Sequence, residues 1–519
     1  MSAQRQLDSR ETMTPAAGAS GDRESYRELL KSSALIGAAS AINIVIGIVR
    51  NKLMALLLGA SGFGVMGLYM SILDVAQSIA GLGLNTSGVR QMAEAAGTQD
   101  QARVARTAGV LRRTSLILGV AGSLLLAAFA RPVSVLTFGT PAYTWGVVCV
   151  SAALLFRLVT NGQGALLSGL RRVGDMAKIS VLGGVFGTVI SVAFVAWLGE
   201  QGIVPALVVI AACTTATYWW FGRRLGIARP ALNLRDVSGE VRVLFKLGIV
   251  FMVAQFLAMG SAYAVRIIVL HEHGTSAAGL YSAAWMLGSL YIGFILQAMG
   301  SDFYPRLTAL AGDRVASSRL VNQQTHIGLL LAGPGVMATL AAAPIVLRVF
   351  FSAEFVGAEW LLCWFCFALM LRVIWWPFGY VMLAQDRKRA YLAMEFCWVA
   401  VDVALAWVCV KLFGLEGAGI ALACAYVVYI VIARRIVGQL IGFKWTRENT
   451  RLASIYVMVI AGLFLARHLL PPPASMALSF VALLVTGYLS VKELAVLIPS
   501  NRFPSPLRSL MRKVRLLPH

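Results

Sequence analysis

Charged residues are scarce in this sequence. Asp, Glu, Lys and Arg make up 13% of its 519 residues against 59% hydrophobic, and the mean hydropathy is +0.77. That balance excludes an ordinary soluble globular domain. Acidic residues are the scarcer sign, 23 against 45 basic ones. No polar stretch between the apolar runs has room for a large soluble domain, so the membrane part is the protein. No G-x-x-x-x-G-K-[ST] occurs, which excludes ATP binding in the P-loop manner. Cysteine is sparse too: there are seven, in or beside apolar runs. Cys363 and Cys366 form a CxxC inside LLCWFCFALM, where they fill a helix surface rather than bind metal. The HEH at 271–273 is weak evidence for zinc and reads as a solvated turn. Met1 to Tyr26 lacks an apolar segment directly behind its basic residues; residues 1–30 therefore read as a disordered cytoplasmic tail, not a cleaved signal peptide.

What the sequence has in abundance is apolar runs of about 20 residues, the length that crosses a bilayer as helix. Bounded by charge, Gly or Pro, they give fourteen candidate spans. These begin near Ser33, Gly64, Thr114, Thr144, Ile179, Ile203, Leu244, Ala277, Thr325, Trp360, Tyr391, Ala418, Leu452 and Ser475. Basic residues near span ends resist translocation, and alternate loops carry nearly all of them. Arg171, Arg172 and Lys178, then Arg387, Lys388 and Arg389, fall on the same side as Arg90, Arg306, Arg434 and the tail at 498–519. That side is cytoplasmic and holds both termini. The net charge of +22 is therefore a topology signal with some attraction to anionic lipid, and a nucleic-acid partner is excluded.

The chain also repeats itself. Arg266 lies 216 positions after Arg50, and GTSAAGLYSAAWMLGSL parallels GASGFGVMGLYMSILDVAQSI. Arg90 and Arg306 are 216 apart, Arg157 and Arg372 are 215 apart, and Pro132 and Pro344 are 212 apart. The expected architecture is an all-α polytopic membrane protein with two pseudo-symmetric six-helix lobes, 31–235 and 240–440, and two appended helices over 450–497. Six spans per lobe start both copies on the same side of the membrane. Such a parallel repeat places a cleft between the lobes.

An ionisable group at bilayer depth costs about 2.5–3.5 kcal/mol on translocon scales and usually faces a cavity or a partner. Arg50, Lys52 and Asp74 lie in the first two spans, Arg157 in the fourth, Arg266 in the seventh, Arg372 in the tenth, and Glu395 and Asp402 in the eleventh. Arg348 and Lys411 are near span ends, where long stems snorkel to the interface. Arg50, Arg157, Arg266 and Arg372 form two repeat-related pairs, and the guanidinium fork suits phosphate. With Lys52 they make a candidate cationic cleft, against the alternative that each pairs inside its own lobe. Asp74, Glu395 and Asp402 are candidates for ion coupling or for neutralising those cations. Asn43, Gln77, Asn161, Gln163, Gln255, Gln297 and Tyr69 are candidate hydrogen-bonding groups for sugar hydroxyls, with interhelical contacts as the commoner role. Trp375 and Trp376 beside Pro377 are either a sugar-stacking platform or packing at a kink.

The amphipathic first span, then KLMALLLGASGFGVMGLY and GLGLNTSGVRQMAE, resembles the polysaccharide transport family of flippases. These are the Wzx-type O-antigen and exopolysaccharide translocases of the multidrug/oligosaccharidyl-lipid/polysaccharide (MOP) superfamily. The resemblance covers roughly residues 30–440. It implies flipping of an undecaprenyl-diphosphate-linked oligosaccharide to the periplasmic leaflet of a bacterial inner membrane by alternating access. It also implies coupling to a proton or sodium gradient, no bound cofactor, and polysaccharide polymerase or chain-length proteins as partners. A lipid II flippase and a cation-coupled multidrug antiporter of the same superfamily are the alternatives. A membrane polymerase or ligase would carry a large outer loop, and every outer loop here is short.

Overall fold

The computed structural model describes residues 16–98, 100–227 and 234–497; the basic tail at 498–519 and residues 1–15 lie outside the described residues. The described chain is helical throughout. The first half holds α1 (Ala16–Ala80), α2 (Leu84–Gly97), α3 (Gln101–Ala128), α4 (Ala130–Phe138), α5 (Thr144–Gly169), α6 (Val173–Leu198) and α7 (Ile203–Arg223). The second holds α8 (Leu234–Ala309), α9 (Arg314–Ala341), α10 (Ala343–Phe350), α11 (Glu359–Ala384), α12 (Lys388–Phe413) and α13 (Gly417–Ile441). Then come α14 (Arg447–Leu469) and α15 (Pro472–Leu497). Helix α1 reaches back into the segment read as a tail, because RESYRELLKSS is rich in good helix formers. Among the described residues nine helical stretches are long and apolar enough to cross a membrane, and the pair α9 and α10, bent by 80°, is a tenth candidate. Several of the nine contain more than one of the expected spans: Gly37–Ala80 breaks at Gly59, and Lys388–Ile441 comprises α12 and α13.

Backbone geometry fixes the register of the repeat at 215. Helix α1 breaks at Gly59 (φ 63°) and α8 at Gly274 (φ 81°), a left-handed conformation that costs Gly little because it has no Cβ. The same spacing recurs at Arg171 and Asp386 (φ 54° and 53°) and at Gly199 and Gly414 (φ 60° and 66°). Helix starts repeat as well. Asp100 caps α3 by accepting from the Ala102 and Arg103 amides at 2.9 and 3.2 Å. Asp313 caps α9 by accepting from the Val315 and Ala316 amides at 2.9 and 3.0 Å. The two lobes are thus built alike, and they meet where α1 packs along α8.

Small residues let that crossing close up. A Cβ on Gly64 would overlap the Thr275 carbonyl, and one on Gly279 would overlap that of Ala60, so the two backbones touch. Helices α14 and α15 pack on each other and on α9. They are tied to the second lobe by Arg467, whose guanidinium donates to Glu359 at 2.6 Å and to the Leu340 carbonyl at 2.6 Å.

Candidate functional site

Between the lobes lies a cavity of about 600 Å³. It is lined from α1 by Asp74, Gln77 and Ser78, from the turn into α2 by Gly81, from α2 by Asn85, and from α5 by Asn161. The second lobe contributes Met252 and Gln255 of α8, Arg372, Trp375, Trp376 and Tyr380 of α11, and Tyr391 and Glu395 of α12. Leu383 and Tyr391, which flank the Arg387–Arg389 turn, are among its lining residues, so the cavity extends toward the end of the bundle that carries the basic turns.

Each charged wall has a local cause. Arg157 sits midway along α5 and donates from Nη1 to Asp74 Oδ1 at 2.8 Å, with Nη2 3.9 Å from Met70 Sδ. The pair is only partly exposed, and it is the carboxylate that lines the cavity. Arg372 occupies the matching midpoint of α11, but no acid replaces Asp74 in the second lobe. Its buried Nε has no hydrogen-bond partner, and it interacts electrostatically with Glu395 across the cavity. Trp375 and Trp376 lie three and four residues on, hence on the same helix face as Arg372. Trp376 meets Tyr380 edge-on with ring centroids 4.8 Å apart, and Trp375 meets Tyr429 at 4.3 Å. One cation with free hydrogen-bonding capacity thus stands beside an aromatic wall, facing two carboxylates and a row of amides. Such a set holds phosphate oxygens at the guanidinium, sugar hydroxyls at the amides and carboxylates, and sugar faces on indole.

The remaining candidates lie elsewhere, and the geometry gives the reason for each. Arg50 packs against α6, with Nη1 next to Gly187; it is half-buried and does not line the cavity. In the 215 register its partner is Val265, one residue before Arg266, and one residue on a helix is about 100° of rotation. Arg266 faces the other lobe. It donates from Nη1 to the Gly67 carbonyl at 3.0 Å and to Ser71, and it lies over the Tyr281 ring at 5.8 Å. Lys52 caps the last turn of α10 through the Arg348 carbonyl at 2.8 Å. Asp402 is buried between α12 and α8, accepting from Ser261 at 2.6 Å. Of the polar candidates, Gln77, Asn161 and Gln255 reach the cavity, while Asn43 donates to Ser180 at 2.7 Å and Gln163 and Tyr69 are buried in the first lobe. Asn85, Tyr380 and Tyr391 escaped the sequence reading. Their signal is position: Asn85 follows the Gly81–Gly83 turn, and the tyrosines flank the Asp386 turn.

The opposite end of the interlobe seam is shut. Phe63 of α1 meets Phe351 and Phe355 edge-on at 5.4 and 5.6 Å. Ser61 and Thr275 share a hydrogen bond of 2.7 Å, and Thr137 and Tyr263 share another. The cavity thus lies toward one end of the seam between the lobes, and the two lobes pack closely at the other.

Comparison with known proteins agrees with this architecture. Residues 53–359, more than half of the chain, match the family described as polysaccharide biosynthesis protein. The chain is 21% identical over 407 residues to the lipid III flippase of Escherichia coli, covering 77% of this chain and 96% of that one. It is 20% identical over 419 residues to a probable low-salt glycan biosynthesis flippase of Haloferax volcanii, covering 78% and 82%. Among solved structures, the lipid II flippase MurJ in an inward closed conformation superposes with a TM-score of 0.64 at 11% identity, covering 89% of this chain and 99% of that one. An inward-facing MATE family transporter of the MOP superfamily superposes at 0.59 with 19% identity, covering 78% and 94%. This multi-pass membrane chain belongs to the polysaccharide biosynthesis protein family and has the fold of the MOP superfamily of transporters.

Proposed function

We propose that the protein flips an undecaprenyl-diphosphate-linked oligosaccharide from the cytoplasmic to the periplasmic leaflet of a bacterial inner membrane, for assembly of O-antigen or another surface polysaccharide. The observation that carries this reading is the cavity itself: a guanidinium with a buried, unpartnered Nε beside two tryptophans, in a cavity that reaches toward the basic end of the bundle. The family match and the two flippase relatives support the substrate class. Both termini then lie in the cytoplasm, and the open cavity faces the donor leaflet. The lipid-linked diphosphate meets Arg372, the glycan occupies the amide and indole wall, and the polyprenyl chain stays in lipid. Polymerase and chain-length proteins would receive the product on the other side.

Asp74 and Glu395 support a gradient-coupled cycle, with H+ or Na+ as the ion. They also favour, as a second reading, a cationic substrate exchanged by an antiport cycle, since two carboxylates and one unpaired cation line the cavity. The test separates the readings. In cells dependent on this protein, Arg372→Ala is expected to lower export of lipid-linked glycan by tenfold or more at unchanged expression, with partial rescue by Arg372→Lys. Arg50→Ala, at the contact of α1 with α6 and outside the cavity, should export almost normally. Full export by Arg372→Ala overturns the diphosphate reading. Selective loss of transport in Glu395→Gln, with Arg372→Ala intact, points to a cationic substrate. Transport in vesicles should also weaken when the coupling gradient is collapsed, and indifference to both proton and sodium gradients would sink the coupling.

A further inference from the structure

A second cavity, of about 860 Å³, opens on the outer surface of the second lobe, away from the seam between the lobes. Its walls are the end of α8, the first turns of α9, the turn after α13 and the start of α14. Three guanidinium groups line it, Arg306, Arg314 and Arg319, against one carboxylate, Glu448. Arg306 is engaged with Asp302 at 3.0 Å. No ion pair among the described residues includes Arg314 or Arg319, both exposed. The N-terminal amides of α9 are already taken by Asp313, so an anion here has to be held by side chains.

Apolar side chains share the same wall. Val315 is 71% exposed and Ile327 37% exposed, both on a helix that is a candidate for crossing the membrane. The cavity therefore offers cations where the basic turns cluster and hydrocarbon just below, the sequence of environments that a phospholipid presents in reverse. Its floor is a polar network: His326 Nδ1 lies 2.9 Å from Asn449 Oδ1, its Nε2 lies 3.4 Å from Glu493, and Asn449 donates to the Asn322 carbonyl at 2.8 Å. Those groups come from α9, α14 and α15. Whatever fills the cavity bears on the joint between the second lobe and the two C-terminal helices.

We propose that this cavity binds the headgroup of an anionic glycerophospholipid, its phosphate held by Arg314 and Arg319 and an acyl chain lying along Val315 and Ile327. Bound lipid braces α14 against α9. The site has no part in the substrate path, and it does not depend on the flippase reading.

The test uses the purified full-length chain in detergent, titrated with phosphatidylglycerol, phosphatidylcholine, undecaprenyl phosphate or sodium phosphate while its melting temperature is followed. Phosphatidylglycerol is expected to raise the melting temperature at concentrations where phosphatidylcholine and sodium phosphate do not. Arg314→Gln with Arg319→Gln should weaken that effect on the order of tenfold or more, since each basic side chain near an anionic lipid contributes about a factor of five. The Arg314→Lys, Arg319→Lys pair should retain most of it, which separates lost charge from lost folding. Equal stabilisation by phosphatidylcholine, an unchanged response in the Gln pair, or full reproduction by sodium phosphate overturns the proposal. Displacement of phosphatidylglycerol by equimolar undecaprenyl phosphate also overturns it, by making this a second substrate site.

Discussion

Gly279→Val is expected to abolish transport while the protein still inserts and accumulates. A Cβ at Gly279 would overlap the Ala60 carbonyl oxygen and sit 2.8 Å from its carbon and 3.1 Å from the Gly64 amide nitrogen. All of these are backbone atoms held in helices, so neither side can yield as a flexible side chain would. Relief requires α1 and α8 to separate at the end where the lobes are sealed by Phe63, Phe351, Phe355 and the Ser61–Thr275 bond. The substitution therefore destabilises one conformation of the cycle more than the other, and populations shift accordingly. A Ser61→Cys reporter should become reactive toward an impermeant thiol reagent added outside, and glycan export should fall more than tenfold. Gly260→Ala, where a Cβ meets nothing within 4 Å, is the control and should transport normally. Normal export by Gly279→Val, with Ser61→Cys labelling unchanged, would show that the crossing need not be this close.

The sequence showed GASGFGVMGLY and GTSAAGLYSAA as copies of one repeat, and with them the two-lobe helical architecture, but not that the two copies cross each other. Periodicity and repetition report on backbone, and backbone is what the repeat preserves. The side chains followed less faithfully. Pairing Arg50 with Arg266 used a spacing of 216, whereas Gly59 and Gly274 set the register at 215. The one-residue slip turns Arg50 toward α6 and Arg266 toward the first lobe. Arg157 and Arg372 do share the 215 register, yet their surroundings differ because Asp74 has no acidic counterpart. The same helix position carries a neutralised cation in one lobe and an unpaired one in the other. No spacing rule could have joined Asp74 to Arg157, since contacts between α1 and α5 depend on packing angles the sequence does not encode locally. The Gln77, Asn161, Gln255 and tryptophan set was readable because polar or amphipathic side chains in otherwise apolar spans have few places to go.

The second large effect is on stability and concerns the joint at the far end of α14. Arg467 is only 6% exposed along its side chain and reaches from α14 to two helices of the second lobe. It meets Glu359 at the start of α11, the Leu340 carbonyl at the end of α9, and Cys363 Sγ at 3.2 Å. Its Nε is buried without a partner. Removing the acid leaves a guanidinium in a site built for its salt, and breaking one side of a buried pair costs about 3–5 kcal/mol. Glu359→Ala is therefore expected to lower the melting temperature of the purified protein by several degrees. It should also expose Cys363, 1% accessible in the intact helix packing, to thiol reagents as α14 loosens. Removing both charges together is different, because no buried ion is then left unpaired. Glu359→Leu with Arg467→Met should recover most of the lost stability and keep Cys363 protected. A single Glu359→Ala variant as stable as the parent would mean that the Leu340 carbonyl and water satisfy Arg467 alone. A double variant no better than the single one would mean that the pair holds α14 through its specific geometry and not by avoiding a stranded charge.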